Sequence, residues 1–510
     1  MKKLILVAFI LQLMQVNSQV VAEKADAFVN SIGINTHLTY DDGVYKDGTN
    51  TKNQLLNLGI KHIRDGLDTD FNTALLLSQN NIKITGFLQG DFNIANQTPQ
   101  FWIQRVKNAG AISAFEAFEG PNEADLSIMN FTYKGLAWPL GVKYFQMDLY
   151  EAVKNDPAIN NIPVLGPTIG NGFKSNFAND MGDISAYVDY GNFHYYKTFG
   201  QSYSEGSPDW NLQNIINQHN VMFGSKPYMS TEGGYSTAIQ EDPGISESLD
   251  AKYTLRYYLE YWRLGVARTF KYELFDQGVS DTNIEDKFGL IKSDGTTLKP
   301  SGLAVKNIIS ILTDPQPTSN FQPETLNFAI NNADNYTHYN LLQKSNGTFY
   351  LVVWNDAPSW NDDTKSEISN SDQVSIIFNE PIADVKLYAP CTNGNSILST
   401  FTNPNSINVR IPNNPYIYEI TKLNSNLKPS TVSSDNGRLS IYPNPANTEI
   451  ILSGEFPKNA NYEILSVGQK ILSNGVLNGN TINIENFKSG IYILKINSGT
   501  SEKTCRFIKK

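Results

Sequence analysis

ISAFEAFEGPNEAD, residues 112–125, is a β-rich run that breaks at Gly120-Pro121 and delivers Asn122 and Glu123 just past its end. Seven further runs share its texture: SIGINTHL from Ser31, IKHIRDG from Ile60, IKITGFLQG from Ile82, IPVLGPTIG from Ile162, YVDYGNFHYY from Tyr187, PYMSTEGGY from Pro227 and RTFKYELFD from Arg268. Amphipathic stretches separate them, among them ESLDAKYTLRYYLEYWRLGV from Glu247 and PSGLAVKNIISIL from Pro300, where Pro-Ser opens a helix in the usual way. Short β runs alternating with helical ones specify parallel strands joined by crossover helices. Eight such units in about 290 residues match an α/β fold of the (β/α)8 TIM-barrel kind. A doubly wound sheet is the competing arrangement, but no glycine fingerprint follows the first run, so it ranks second.

Outside that region the texture changes. Lys2 and Lys3 precede a short apolar stretch and a polar segment ending near Ser18, the pattern of a cleaved signal peptide over residues 1–18. Residues 19–314 are then expected to form the barrel. Residues 315–423 carry β runs such as FYLVVWND, VKLYAP and YIYEI between Asn, Pro and Gly turns, and read as a small antiparallel β-sandwich. The polar stretch NSNLKPSTVSSDNG, residues 424–437, reads as a linker. Residues 438–510 are again β-patterned and form a third module.

Charge and composition narrow the function classes. Forty Lys and Arg against fifty Asp and Glu give a net charge of −10 in 510 residues, with 40% apolar residues. That excludes a basic nucleic-acid binder and a disordered acidic tail. The last module is +4 and the leader +2, which leaves −16 on the remainder. Nothing beyond the leader approaches the roughly 20 apolar residues of a membrane helix, so no membrane span is expected. Cys391 and Cys505 are the only cysteines, lie in different modules and are not expected to pair. Five scattered His make no zinc motif, and DTNIED from Asp281 lacks the Gly and closing Glu of a calcium loop. No metal and no cofactor are expected, and a monomer is the simplest assembly.

In a TIM barrel the reactive groups come from the C-terminal ends of strands. The fourth run supplies Glu123 there, and STEGG in the seventh supplies Glu232. Strands four and seven face each other, so the two carboxyls can meet at about 5 to 5.5 Å, the separation used for glycoside hydrolysis with retention.

This constellation resembles glycoside hydrolase clan A. The resemblance implies Glu123 as acid/base, Glu232 as nucleophile, Asn122 on the sugar 2-hydroxyl, and Arg64 beside the nucleophile. It implies His194 and Tyr196 at the end of the sixth run as supporting groups, with Tyr196 donating to Glu232. Glu273, closing the eighth run, would lie at the floor of the sugar subsite. Trp138 and Trp210, in the connections after runs four and six, are the candidate flat surfaces for a sugar ring. Trp102, Trp262 and Trp354 fall in patterns that favour core packing.

The last module resembles the type IX secretion system sorting domain of Bacteroidetes: LSIYPNPA from Leu439, GIYILKI from Gly490 and the basic end RFIKK carry the likeness. It implies export through periplasm and outer membrane by the type IX machinery, to the cell surface or beyond. Together these readings give a secreted retaining glycosidase of a polysaccharide or oligosaccharide, with an endo-acting β-glucanase as the leading expectation and the β-1,3 linkage as one option. A surface glycan-binding protein on an inactive barrel is the alternative.

Overall fold

The computed structural model describes residues 18–88, 97–170, 175–196, 211–317, 320–423, 440–442, 445–453, 460–466, 471–477, 479–497 and 502–510. Each of the eight β runs contains one parallel strand: β1 (Ile32–Asn35), β2 (His62–Gly66), β3 (Lys83–Leu88), β4 (Phe115–Pro121), β5 (Val164–Leu165), β6 (Gly191–His194), β7 (Tyr228–Glu232) and β8 (Arg268–Lys271). β8 pairs with β1, and a parallel bridge from Leu165 to Tyr190 joins the β5 and β6 sides, so the sheet closes as a (β/α)8 barrel.

Local chemistry starts and stops the connecting helices. Asp70 caps helix Phe71–Gln79 by accepting from the amides of Asn72 and Thr73, and Thr98 caps Pro99–Asn108 ahead of a first-turn proline. Helix Gly48–Leu58 ends at Gly59, whose φ of 81° lies in the left-handed region that glycine enters without steric cost. Ile34, Ile63, Ile84, Phe118 and Phe193 are buried and fill the core between strands and helices.

The sandwich packs on this barrel within one compact unit, residues 1–424. Its first strand comes from the N-terminus, a departure from the expected boundary. Ser18–Val21 pairs antiparallel with Thr325–Asn331, and Glu23–Lys24 pairs parallel with Leu342 and Gln343. The barrel proper therefore begins at helix Ala25–Ser31, not at residue 19. A four-residue β run carries no local mark of its distant partner, so this pairing was not legible. Leu326, Phe328, Leu351, Ile376, Tyr418 and Ile420 form the sandwich core.

Helix Glu247–Arg263 lies between barrel and sandwich and is buried on nearly every side. Arg256 donates to Asp356 through Nε (2.9 Å) and Nη2 (2.6 Å), and both side chains are buried. Glu260 accepts from Trp354 Nε1 at 2.8 Å and from His338. Trp102 and Trp354 are core residues, and Cys391 is a free thiol. The side chain of Cys505 lies outside the described residues.

Residues 425–510 form a second compact unit. Its described strands make one three-stranded and one four-stranded antiparallel sheet around Ile450, Ile464, Leu494 and Phe507. Among the described residues no helix is long and apolar enough to cross a membrane.

Candidate active site

A cleft of about 460 Å³ opens at the C-terminal ends of the barrel strands, and Glu123 and Glu232 both line it. Glu232 is the last residue of β7. Glu123 follows β4 with φ 44°, a left-handed conformation unusual for a residue with a Cβ, and its amide donates to Thr168 Oγ1 at 3.2 Å. Strained backbone of this kind persists where surrounding structure over-determines it. Carboxylate oxygens of the two Glu lie within 4.8 Å of one another.

The two carboxyls sit in different surroundings. Arg64, on β2, donates Nη1 to Glu232 Oε1 at 2.5 Å, and Tyr196 donates to Glu232 Oε2 at 2.7 Å. Burial opposes the Glu232 charge, but His194, Arg64 and Tyr196 outweigh it and hold its pKa below the ordinary 4.5. Arg64 is itself fixed by a two-pronged contact to Glu119, both bonds 2.8 Å, by Asn122 Oδ1 at 2.7 Å, and by the Phe87 ring 4.0 Å beneath it. Burial works against the Arg64 charge as well, and Glu119 and Glu232 prevail. Burial and the charge of Glu232 push the Tyr196 phenol far above its usual range, so it stays a donor.

Glu123 faces His194 instead. His194 Nδ1 lies 2.7 Å from Glu123 Oε1, and Nε2 lies 3.0 Å from Thr231 Oγ1. The Thr231 hydroxyl has one proton, and its other neighbours, Glu119 Oε1 at 3.1 Å and Asn192 Oδ1 at 3.0 Å, are acceptors. Thr231 therefore gives its proton to one of these and accepts from His194 Nε2–H. That leaves Nδ1 and Glu123 sharing a single proton across 2.7 Å. A continuous polar network through the buried His194, Thr231, Glu119 and Arg64 thus joins the half-buried Glu123 and Glu232 behind the cleft.

Glu123, His194 and Glu232 are close enough to face a metal ion. However, Arg64 and Tyr196 occupy the two Glu232 oxygens, which makes the trio a poor cation site.

Of the residues singled out in the sequence, Asn122, Glu123, Arg64, His194, Tyr196 and Glu232 come together here. Glu273 is fully buried behind the cleft: Tyr45 donates to it at 2.8 Å, Gln277 donates to it at 2.8 Å, and His37 Nε2 lies 3.2 Å away. Trp138 does not line the cleft, against the expectation of a sugar platform. Its ring packs on the core beside Phe177, 6.3 Å between centroids. Trp210 lies outside the described residues.

The aromatic wall is made instead by Tyr40, Tyr235, Tyr272, Phe87 and Phe288, with His37 and Glu285. Burial opposes the His37 charge, and Glu273 more than offsets it, so its pKa is raised. Burial followed by the charges of Glu273 and Glu232 raises that of Glu285. His37 and Tyr272 come just after the ends of β1 and β8, a position that could have flagged them. Glu119 and Thr231 carry no such mark, because their partners are 55 and 112 residues away in the chain.

Residues 440–510 match the family described as secretion system C-terminal sorting domain. They are a type IX export address. The chain is thus directed out of the cell, to its surface or the medium. No curated protein matches the sequence. Among solved structures, a family 39 glycoside hydrolase from the gut symbiont Bacteroides cellulosilyticus WH2 aligns over 79% of this chain and 83% of its own, at 14% identity and TM-score 0.53. A monomeric β-xylosidase from Caulobacter crescentus CB15 aligns over 79% and 98%, at 14% identity and TM-score 0.50. At these identities the likeness is one of fold.

Proposed function

We propose that the exported chain is a retaining glycoside hydrolase that cleaves β-glycosidic bonds. The observation that carries this reading is a pair of carboxyls within 4.8 Å, one held ionised by His194, Arg64 and Tyr196 and the other 2.7 Å from a histidine nitrogen. The separation suits the retaining pathway, since an inverting pair needs room for a water between acid and base, about 6.5 to 9.5 Å. In the first step the glycosidic C–O bond breaks, the leaving oxygen takes the proton of Glu123, and a Glu232 oxygen bonds to the anomeric carbon. In the second step Glu123 takes a proton from water, the hydroxyl adds to that carbon, and the bond to Glu232 breaks. Asn122, fixed by Arg64, is placed to hold the 2-hydroxyl.

The cleft favours an uncharged sugar. Among the described lining residues Arg64 is the only Lys or Arg, and it is committed to Glu119, Glu232 and Asn122. A uronate would meet Glu123, Glu232 and Glu285 instead. A neutral β-glucan attacked within the chain remains the leading substrate, with the β-1,3 linkage as one option. The fold shared with a β-xylosidase adds xylan to the panel worth testing. The full chain is assayed against β-glucans, xylans and aryl β-glycosides, and the first product is read by NMR for its anomeric configuration. Retention, with turnover lost in Glu232→Gln, is expected. Inversion would overturn the mechanism, and binding without turnover would favour a glycan-binding protein.

A further inference from the structure

A second groove, of about 860 Å³, opens beside the cleft, and Tyr40 belongs to the walls of both. It runs between the loops after β1 and β2, with Gln97, Trp102 and Arg105 from the segment after β3. Tyr40 is 42% exposed, and its ring lies flat on His37, 4.6 Å between centroids and 8° between planes. A ring so held is a preformed flat surface at the junction of the two spaces.

The groove walls contain polar atoms that no protein group satisfies. Thr69 Oγ1, Gln97 Oε1 and Trp102 Nε1 are buried without a hydrogen-bond partner. Buried polar atoms are rarely left alone, and all three belong to residues that line the groove. At the groove surface the exposed Thr39, Asp41 and Lys46 supply a hydroxyl, an acceptor and a donor, the kinds of partner that sugar hydroxyls need. The charges along the walls are mixed, Asp41, Asp68 and Asp70 against Lys46 and Arg105, so neither a polyanion nor a polycation is favoured.

We propose that this groove binds additional uncharged sugar units of the same glycan whose scissile bond lies between Glu123 and Glu232. The proposal rests on the glycosidase reading and adds that the substrate is a chain extending past Tyr40. Binding energy gathered in the groove would then appear in the rate of cleavage in the neighbouring cleft.

The test compares the full chain with Asn72→Trp. Asn72 is exposed at the rim of this groove and does not line the catalytic cleft, so an indole there fills the groove from outside. The substrates are β-1,3-gluco- and β-1,4-xylo-oligosaccharides from disaccharide to hexasaccharide, together with an aryl monoglycoside that fills only the cleft. For the oligosaccharide series that is cleaved, kcat/KM is expected to rise about tenfold with chain length, and Asn72→Trp is expected to remove that rise while aryl glycoside hydrolysis stays unchanged. A wild-type rate independent of chain length, or a rise that survives Asn72→Trp, overturns the groove and leaves the glycosidase reading standing. If no glycoside is cleaved, that reading fails, and calorimetry on the Glu232→Gln protein decides the groove alone. Affinity that grows with length and is lost on adding Asn72→Trp supports it; affinity that ignores length, or no binding, overturns it.

Discussion

Thr231 sets the direction of proton traffic without facing the cleft. Because its oxygen accepts from His194 Nε2, the other ring nitrogen is left to share a proton with Glu123. Thr231→Val removes that acceptor and orphans Nε2, so His194 loses its fixed tautomer and Glu123 its partner. Acid assistance is worth about 10²–10⁴ in rate, and losing its alignment is expected to cost about ten- to a hundredfold. The loss should appear with poor leaving groups and be small with a dinitrophenyl glycoside, which departs without a proton. Thr231→Ser should restore it, whereas an equal loss on both substrates would mean simple structural damage. Glu232 is expected to show itself differently. In the proposed mechanism its ionised form is the reactive one, and its pKa is depressed, so kcat/KM should fall only as the pH drops below the ordinary glutamate value of 4.5. Arg64→Met removes one cause of the depression and should move this acid limb upward; an unmoved limb would show that Arg64 does not hold the charge. Glu123 and Glu232 were legible because each ends a β run within a local pattern, Asn-Glu and Thr-Glu-Gly-Gly. Glu119 and Thr231 were not, since their roles depend on which strand face turns inward and which distant residue waits there.

Helix Glu247–Arg263 shows what an element can hide from its own sequence. Its charged and aromatic residues suggest one wet face, yet Arg256, Glu260, Tyr257 and Tyr261 are all buried, because the sandwich covers the side turned away from the barrel. The charges survive there only as pairs. Arg256→Met would leave Asp356 buried and uncompensated, at an expected cost of about 3 to 5 kcal/mol. Adding Asp356→Leu should recover most of that, as judged by denaturant unfolding of each variant. A single substitution that changes stability by less than about 1 kcal/mol would show that the pair is not what joins the two layers. The barrel strands were readable because each is bounded by breaking residues and separated from the next by helical periodicity. Ser18–Val21 was not, for its fold membership is decided by Thr325–Asn331, some three hundred residues later.

The whole chain divides into a barrel-and-sandwich body and an address. Residues 1–424 and 425–510 are separate compact units, the second matches a sorting domain over 440–510, and the charge changes sign between them, −16 for the body after the leader against +4 for the tail. A tail recognised by export machinery needs its own core so that it folds as a recognisable unit, and Ile450, Ile464, Leu494 and Phe507 provide one. The body carries its own parts: both carboxyls, the Arg64 network and the described strands of barrel and sandwich all lie before residue 424. A chain ending at residue 423 is therefore expected to melt at the temperature of the body in the full protein and to keep its kcat/KM within about twofold. In a host with type IX machinery it should remain in the periplasm while the full chain reaches the surface or medium, read by fractionation and activity assay. Normal export of the shortened chain would remove the tail's assignment as address, and loss of activity would show that the body depends on the tail after all.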